Sequence, residues 1–164
     1  MRFAAALALA ILGGCAAAHH PPPTSAYAYE ATPYDASRDA RADLDRAIAN
    51  ARAQGRHVLA VFGANWCHDS RGLAGLLQTP RFRALTEARY EVVFIDSGTP
   101  QIGKGRNLHL ASGLGVTGIE GTPTVIVLAP DGAVLNADTA KSWRNAASRS
   151  EDAVYLELER LTRS

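Results

Sequence analysis

The chain has 164 residues, of which 47% are hydrophobic and 20% are charged, and its formal net charge at pH 7 is +1. This length and composition predict one globular domain with a full core and some additional tail. Lysine and arginine form no dense cluster, which argues against a nucleic-acid-binding surface, and two cysteines are too few for a disulfide framework or a cysteine-rich zinc site.

The first fifteen residues have the pattern of an export signal. Arg2 supplies a positive charge, and residues 3–12 form an apolar run that is too short to span a bilayer as a helix. Residues 12–15 (LGGC) resemble the lipobox of bacterial lipoproteins, which implies cleavage after residue 14 and a lipid on Cys15. Ala16 then resembles the outer-membrane sorting pattern. An ordinary secretory signal cleaved nearby is the alternative, and in both cases the chain is exported.

The sequence predicts three segments: a signal peptide over residues 1–14, a tether over residues 15–36 and a folded domain over residues 37–164. The tether has no apolar periodicity, and its three consecutive prolines favour an extended backbone. We therefore expect the domain to be held at the cell envelope by its lipid anchor, facing the periplasm and bound to the outer membrane.

Hydrophobic periodicity predicts helices and strands in alternation along the domain. Ser37 is the predicted N-cap of the first helix, and a capping box at Ser148 and Glu151 begins the last. Helices are predicted over residues 38–54, 71–78, 81–88 and 107–111, strands over residues 58–62, 90–95 and 124–128, a loop over residues 97–106, and a hairpin return over residues 133–135. Strand, helix and strand in succession imply a parallel pair, so we expect a mixed sheet with helices on both faces.

Cys67 lies where the first predicted strand gives way to a helix. Unpaired N–H groups and the positive end of the helix dipole favour a thiolate at such a junction, and a partly exposed turn would make it reactive. The alternative is an inert cysteine packed in the core as a small apolar residue.

Two motifs on these elements resemble the thioredoxin family. Residues 64–67 (ANWC) resemble the approach to the family's active site, and residues 121–124 (GTPT) resemble the segment that holds its cis-proline. The resemblance covers residues 38–162. It implies an α/β fold of the thioredoxin-like three-layer α/β/α type with a mixed central sheet.

The resemblance implies a role for each residue of these motifs. Cys67 would be the nucleophile, with Ser70 and a protonated His68 stabilising its thiolate. Trp66, Thr122 and Pro123 would bind substrate, and a cis Pro123 would leave the preceding backbone available to an extended peptide. Each has a plainer alternative: Ser70 caps the helix, His68 is only solvated, Trp66 packs in the core, and Pro123 is a trans proline that begins a strand.

The sequence departs from the family at the positions that complete its redox chemistry. Ser70 stands where the family has a second cysteine, His68 and Asp69 replace the usual Gly-Pro, and Val61 replaces a buried acid. Without a second thiol, Cys67 cannot resolve its own mixed disulfide, but another thiol can still displace it. The pattern therefore predicts monothiol disulfide exchange, by isomerisation or mixed-disulfide chemistry, and Thr122 resembles the residue at this place in bacterial disulfide isomerases.

Cysteine-containing envelope proteins or a small thiol are the expected partners, besides the membrane reached through Cys15. No cofactor, metal or nucleic acid is expected. The alternative function is a non-catalytic peptide- or protein-binding module on the same fold, since a thioredoxin fold that lacks its resolving cysteine can serve in assembly.

Overall fold

The computed structural model describes residues 29–163. The predicted signal peptide, Cys15 and the tether as far as residue 28 lie outside this range, so the expectations about them stay predictions. Within residues 29–163, no helix is both long enough and apolar enough to cross a membrane.

The secondary structure alternates much as the hydrophobic periodicity predicts. The helices are α1 (Ala40–Gln54), α2 (His68–Leu77), α3 (Pro80–Arg89), α4 (Leu108–Gly113) and α5 (Glu151–Leu161). The strands are β1 (His57–Gly63), β2 (Tyr90–Asp96), β3 (Gly98–Thr99), β4 (Lys104–Gly105) and β5 (Thr124–Leu128). Two 3-10 helices cover Pro100–Ile102 and Ala140–Ser148.

The central sheet is mixed, with the strand order β2-β1-β5. β1 pairs with β2 in parallel and with β5 in the antiparallel sense. The predicted hairpin return is short: Val134 forms a single bridge to Leu128, and the N–H of Leu135 donates to the carbonyl of Val127 at 2.9 Å. The amide of the buried Asn136 then bonds the backbone of β5, so a side chain replaces further strand pairing at this edge.

Helices cover both faces of the sheet, which gives the predicted three layers. Side chains of β1 alternate between the faces, as they must on a pleated strand. Leu59 and Val61 join the core formed with α2, α3 and α5. Val58 and Phe62 join the core formed with α1 and α4. The central position of β1 therefore buries nearly all of it, and Cys67 follows shortly after this strand ends.

Two predicted helix caps are wrong. Asp39, and not Ser37, caps α1, because its carboxylate accepts the N–H of Ala42 at 3.0 Å while the hydroxyl of Ser37 donates to Asp35. Ser150, and not Ser148, caps α5, because Ser148 ends the preceding 3-10 helix. In each case several capping residues stand close together, and only the path of the chain selects among them.

Two elements were not predicted. The segment over residues 97–106, expected to be a loop, contains the small β3–β4 hairpin. The 3-10 helix Ala140–Ser148 packs against α2 and β5 and buries Trp143 completely. Side chains of a 3-10 helix repeat every three residues, so this helix lacks the 3.6-residue period by which the other helices were predicted.

Residues 29–36 pack against the domain, although the sequence placed them in the tether. We call this segment the N-terminal strap. Its Tyr34 is 2% exposed and meets Phe94 edge to face, with ring centroids 5.5 Å apart. The N–H of Ala31 donates to the carbonyl of Arg71 at 3.1 Å. The packed domain therefore includes residues that precede its predicted boundary at Ser37.

Glycine permits the close approach of the strap. A Cβ atom on Gly63 would lie 2.4 Å from the ring of Tyr34, and one on Gly75 would lie 2.5 Å from the backbone nitrogen of Glu30. Real side chains do not tolerate such distances, so the strap lies over two positions where β1 and α2 have no side chain.

Candidate functional site

Cys67 is the N-cap of α2. Its backbone is extended, at φ −83° and ψ 122°, and its carbonyl accepts the N–H of Arg71 at 3.0 Å, which closes the first turn. The helix begins three residues earlier than predicted, so Cys67 stands directly before its first residue. Unpaired N–H groups and the positive end of the helix dipole therefore face the cysteine.

The sulfur of Cys67 meets the backbone of the second motif. Its Sγ donates to the carbonyl oxygen of Thr122 at 3.2 Å, although the two residues are 55 positions apart. The Thr122–Pro123 peptide bond is cis, as the resemblance implied. Cys67 is only 8% exposed, which corrects the expectation of a partly exposed turn. The carbonyl of Thr122, in the loop that ends at Pro123, therefore lies against the thiol.

Two buried hydroxyl groups belong to the same region. Ser70 lies in the first turn of α2 and is fully buried, and Thr122 is 5% exposed. Neither hydroxyl has a hydrogen-bond partner within residues 29–163. Ser70 therefore does not cap the helix with its side chain, which was the plainer alternative. Both groups retain a proton that can be donated to a charge appearing at this site.

Tyr34 of the strap packs beneath the first turn of α2. Its hydroxyl donates to the carbonyl of Ser70 at 3.2 Å. Burial, and secondly the negative charge that Cys67 carries as a thiolate, raise the pKa of the Tyr34 hydroxyl above its ordinary value. Tyr34 therefore stays a neutral donor and keeps its contact with α2.

Trp66 lies on the surface beside the cysteine. Trp66 is 51% exposed, and its indole N–H donates to the carbonyl of Gly98 at 3.0 Å. The alternative of core packing is thus wrong. One polar anchor fixes the ring and leaves an apolar face available for contact.

His68 and Asp69 face different parts of the structure. Nδ1 of His68 lies 3.2 Å from a carboxylate oxygen of Glu30, at the surface. Asp69 turns toward the 3-10 helix Ala140–Ser148, where its carboxylate accepts the N–H of Ala147 at 3.0 Å. The carboxylate of Asp69 therefore faces a backbone N–H and is directed away from Glu30 and the surface around His68.

Arg71 and Glu30 support the cysteine turn. The guanidinium of Arg71 donates to the carbonyls of Asn65 and Trp66, each at 3.1 Å, and to Glu30 at 3.2 Å. The hydrogen bond from Arg71, and then the contacts with His68, hold the pKa of the Glu30 carboxyl below its ordinary value. Glu30 is thus an anion that joins the strap to the first turn of α2.

Asn65 makes the second link between the strap and the turn. Its side-chain carbonyl accepts the N–H of Tyr34 at 3.1 Å, and its side-chain N–H donates to the carbonyl of Tyr34 at 2.8 Å. Asn65, Arg71 and Glu30 were not assigned a role from the sequence. Their partners lie more than thirty positions apart in the chain or on backbone atoms, and neither kind of contact leaves a pattern in the sequence.

Comparisons with known proteins place this fold in a family. A family model described as thioredoxin-like matches residues 39–130, which is more than half of the chain. The chain belongs to the thioredoxin-like family. It is also similar to a solved structure, the crystal structure of a disulphide isomerase from Xylella fastidiosa Temecula1, at 33% identity and a TM-score of 0.72. That similarity covers 80% of this chain and 98% of the other. No curated protein matches the chain.

This thioredoxin-like protein is related to a disulphide isomerase. Ser70 and Val61, the positions to which the family resemblance assigned a second cysteine and a buried acid, are both fully buried. Cys67 is the one cysteine within the described range, and it is a free thiol. Within that range, no group of three or more histidine, cysteine or acidic side chains is placed to hold a metal ion.

Proposed function

We propose that this protein carries out monothiol disulfide exchange through Cys67 and is held at the cell envelope by a lipid on Cys15. The observation that carries the proposal is the contact between the Cys67 sulfur, at the start of α2, and the carbonyl that precedes the cis Pro123. Relationship to a disulphide isomerase supports exchange, because isomerisation needs a thiol that attacks and is later released.

The reaction conserves electrons at each step. The Cys67 thiolate attacks one sulfur of a substrate disulfide, so that a bond forms between Cys67 and this sulfur while the substrate S–S bond breaks. The other substrate sulfur leaves as a thiolate and can take up a proton. A second thiolate, from the substrate or from a small thiol, then attacks the substrate sulfur of the mixed disulfide and releases Cys67. Ser70 and the N–H groups of α2 stabilise the thiolate form.

The buried position of Cys67 links reaction to substrate binding. While Cys67 is a protonated thiol, its Sγ donates a hydrogen bond to the carbonyl oxygen of Thr122. When Cys67 loses this proton, the thiolate no longer has a hydrogen to donate, and the carbonyl becomes free to accept an N–H. An extended peptide that pairs with the backbone beside Pro123 can supply that donor. Activation of the sulfur and capture of the substrate are thus coupled at one carbonyl.

The test uses a chain that carries Cys15→Ser, so that Cys67 is the only thiol. After incubation with oxidised glutathione, we expect a mixed disulfide at Cys67 by mass spectrometry, and no adduct when Cys67→Ser is added. A folded protein whose thiol forms no mixed disulfide with glutathione or with a protein disulfide would contradict the proposal.

A binding module without catalysis is the second candidate. It is favoured by the 8% exposure of Cys67 together with a serine at position 70 and a valine at position 61. The discriminating measurement is the affinity for a reduced and alkylated, unfolded polypeptide. Undiminished affinity in the Cys67→Ala variant, combined with an unreactive Cys67 in the parent protein, would favour binding over exchange.

A further inference from the structure

An open groove with an unpaired cation lies beside Trp66. This Trp66 groove has a volume of about 420 Å³, and its lining includes Lys104 and Arg106. Arg106 pairs with Asp96, at 3.3 Å between guanidinium and carboxylate. The ammonium of Lys104 is exposed and has no partner among the residues described. The groove therefore carries one uncompensated positive charge.

A second hollow, of about 290 Å³, lies beside the loop that ends at the cis-proline. This Gly121 recess is lined by Lys141, Arg144 and Glu120 among others. Arg144 extends along Gly121, where an added Cβ would lie 3.5 Å from its Cδ. Lys141 donates to the carbonyl of Thr117 at 3.1 Å, whereas the exposed guanidinium of Arg144 forms no ion pair within residues 29–163. Glu120 is the only carboxylate in the lining, so positive charge is in excess here too.

The groove and the recess are each lined by a residue adjacent in sequence to the contact between Cys67 and Thr122. Trp66 directly precedes Cys67, and Gly121 directly precedes Thr122, whose carbonyl contacts the sulfur at 3.2 Å. A chain bound at Cys67 therefore lies close to two hollows that each carry an excess of positive charge. Two acids near the cysteine line neither hollow: Glu30 is paired with Arg71 and His68, and the half-buried Asp69 is directed toward the N–H of Ala147.

Exposed apolar surface accompanies the cations. Trp66 and Ile102 are two of the three large hydrophobic residues that the structure shows as exposed, at 51% and 64%. Ile102 lies in the turn between β3 and β4, two residues before Lys104. Such a surface suits an extended or partly unfolded polypeptide, which presents apolar and charged side chains together.

We propose that the substrates of this site are polypeptides in which acidic residues flank the reacting cysteine. The inference rests on the proposed disulfide exchange and adds its substrate class. Carboxylates on either side of a substrate disulfide would approach Lys104 in the Trp66 groove and Arg144 in the Gly121 recess. Opposite charge at both hollows raises the rate of productive encounter and disfavours basic segments, and salt screens the effect.

The test compares three short peptides of equal length with the Cys15→Ser protein. In each peptide the central cysteine forms a disulfide with thionitrobenzoate. The residues that flank this cysteine are glutamate in the first peptide, glutamine in the second and lysine in the third. Cys67 attacks the peptide sulfur, a bond forms between them, and the released thionitrobenzoate anion is measured by its colour. At low ionic strength we expect the acidic peptide to react about tenfold faster than the basic one, with the difference shrinking as salt is added.

Variants of Lys104 and Arg144 test whether these two residues cause the preference for acidic peptides. Lys104→Glu with Arg144→Glu should invert the order of the peptides, and Lys104→Ala with Arg144→Ala should flatten it. Arg160→Glu is the control: it lowers the net charge by two, as the double alanine variant does, near the end of α5, where the carbonyl of Leu158 accepts the hydroxyl of Tyr90 at the far end of the sheet. This control should keep the preference of the parent protein.

The outcomes separate this inference from the function on which it rests. Equal rates for the three peptides, or an unchanged order in the double glutamate variant, would overturn the acidic substrate class while leaving disulfide exchange in place. Failure of every peptide to react with the folded parent protein would overturn both.

Discussion

Ser70 decides what the cysteine turn can do. The serine removes the thiol that would resolve a mixed disulfide, and its hydroxyl is fully buried without a partner in the described part of the chain. A buried polar group in this state destabilises the fold unless something uses it. A thiolate at Cys67, one helical turn earlier, is the group that its proton can stabilise. Stability and reactivity should therefore respond to this residue in opposite directions.

We predict that Ser70→Ala leaves the free energy of unfolding unchanged or raises it by about 1 kcal/mol, because the hydroxyl has no partner to lose. The same change should slow alkylation of Cys67 by iodoacetamide at neutral pH by about tenfold, since one hydrogen bond to the thiolate disappears. An unchanged alkylation rate would show that the hydroxyl does not contact the thiolate. A large loss of stability would point to a structural role instead.

Ser70→Cys should restore an internal route for resolving mixed disulfides. The introduced thiol would stand at the position of the family's second cysteine, so we expect catalysed reduction of insulin by dithiothreitol, followed by turbidity. Ser112→Cys is the matched control, because it adds an exposed thiol on α4, away from the site. If the Ser70 variant folds but reduces insulin no faster than this control, the turn is not built for redox work.

The N-terminal strap packs closely on β1 and α2 because each of these elements has a glycine beneath it. β1 has Gly63 beneath Tyr34, and α2 has Gly75 beneath the backbone of Glu30. Glycine inside a helix usually lowers stability by about 1 kcal/mol relative to alanine. In α2 the loss is offset because the strap packs closely and brings Glu30 within reach of Arg71 and His68.

Gly75→Ala should therefore destabilise the protein, by about 1–3 kcal/mol, although alanine is the better helix former. The added Cβ would lie 2.5 Å from the nitrogen of Glu30, and backbone cannot rotate away as a side chain can. Gly113→Ala on α4 is the matched control, since a Cβ there meets nothing within 4 Å. Chemical denaturation measures both, and equal stability of the two variants would mean that the strap does not pack as described.

At the scale of the whole molecule, the strap makes residues 29–36 part of the domain. Its Tyr34 contributes a ring to the core and hydrogen bonds to both Asn65 and Ser70. A boundary placed at Ser37 would remove a core side chain along with the supports of the cysteine turn.

A chain that begins at Ser37 should thus be less stable than one that begins at Tyr29, by about 3–5 kcal/mol, as for the loss of a large aromatic side chain from a core. Thermal unfolding followed by circular dichroism measures the difference. Tyr34→Ala in the full chain should reproduce most of it. Equal melting temperatures for the two shortened chains would contradict the inclusion of the strap in the fold.

The three-layer fold was predictable from the sequence because its signals are local. The buried strands at β1 and β5 are continuous apolar runs, and α1 and α5 show their core-facing stripes. The two motifs at residues 64–67 and 121–124 then indicated the family and the cis Pro123, and the family match and the cis peptide bond confirmed these two expectations. The role of Cys67 as the nucleophile stays a prediction.

Only the tertiary structure decided how the site is enclosed. Burial of Cys67 by Thr122, the unpartnered hydroxyl of Ser70, the exposed ring of Trp66 and the support from the strap all depend on atoms distant in sequence. The strap has no hydrophobic period, and its contacts are made by backbone atoms and by glycines that lack a side chain. Periodicity reports which face of an element is buried, whereas the partner of that face follows only from the path of the whole chain.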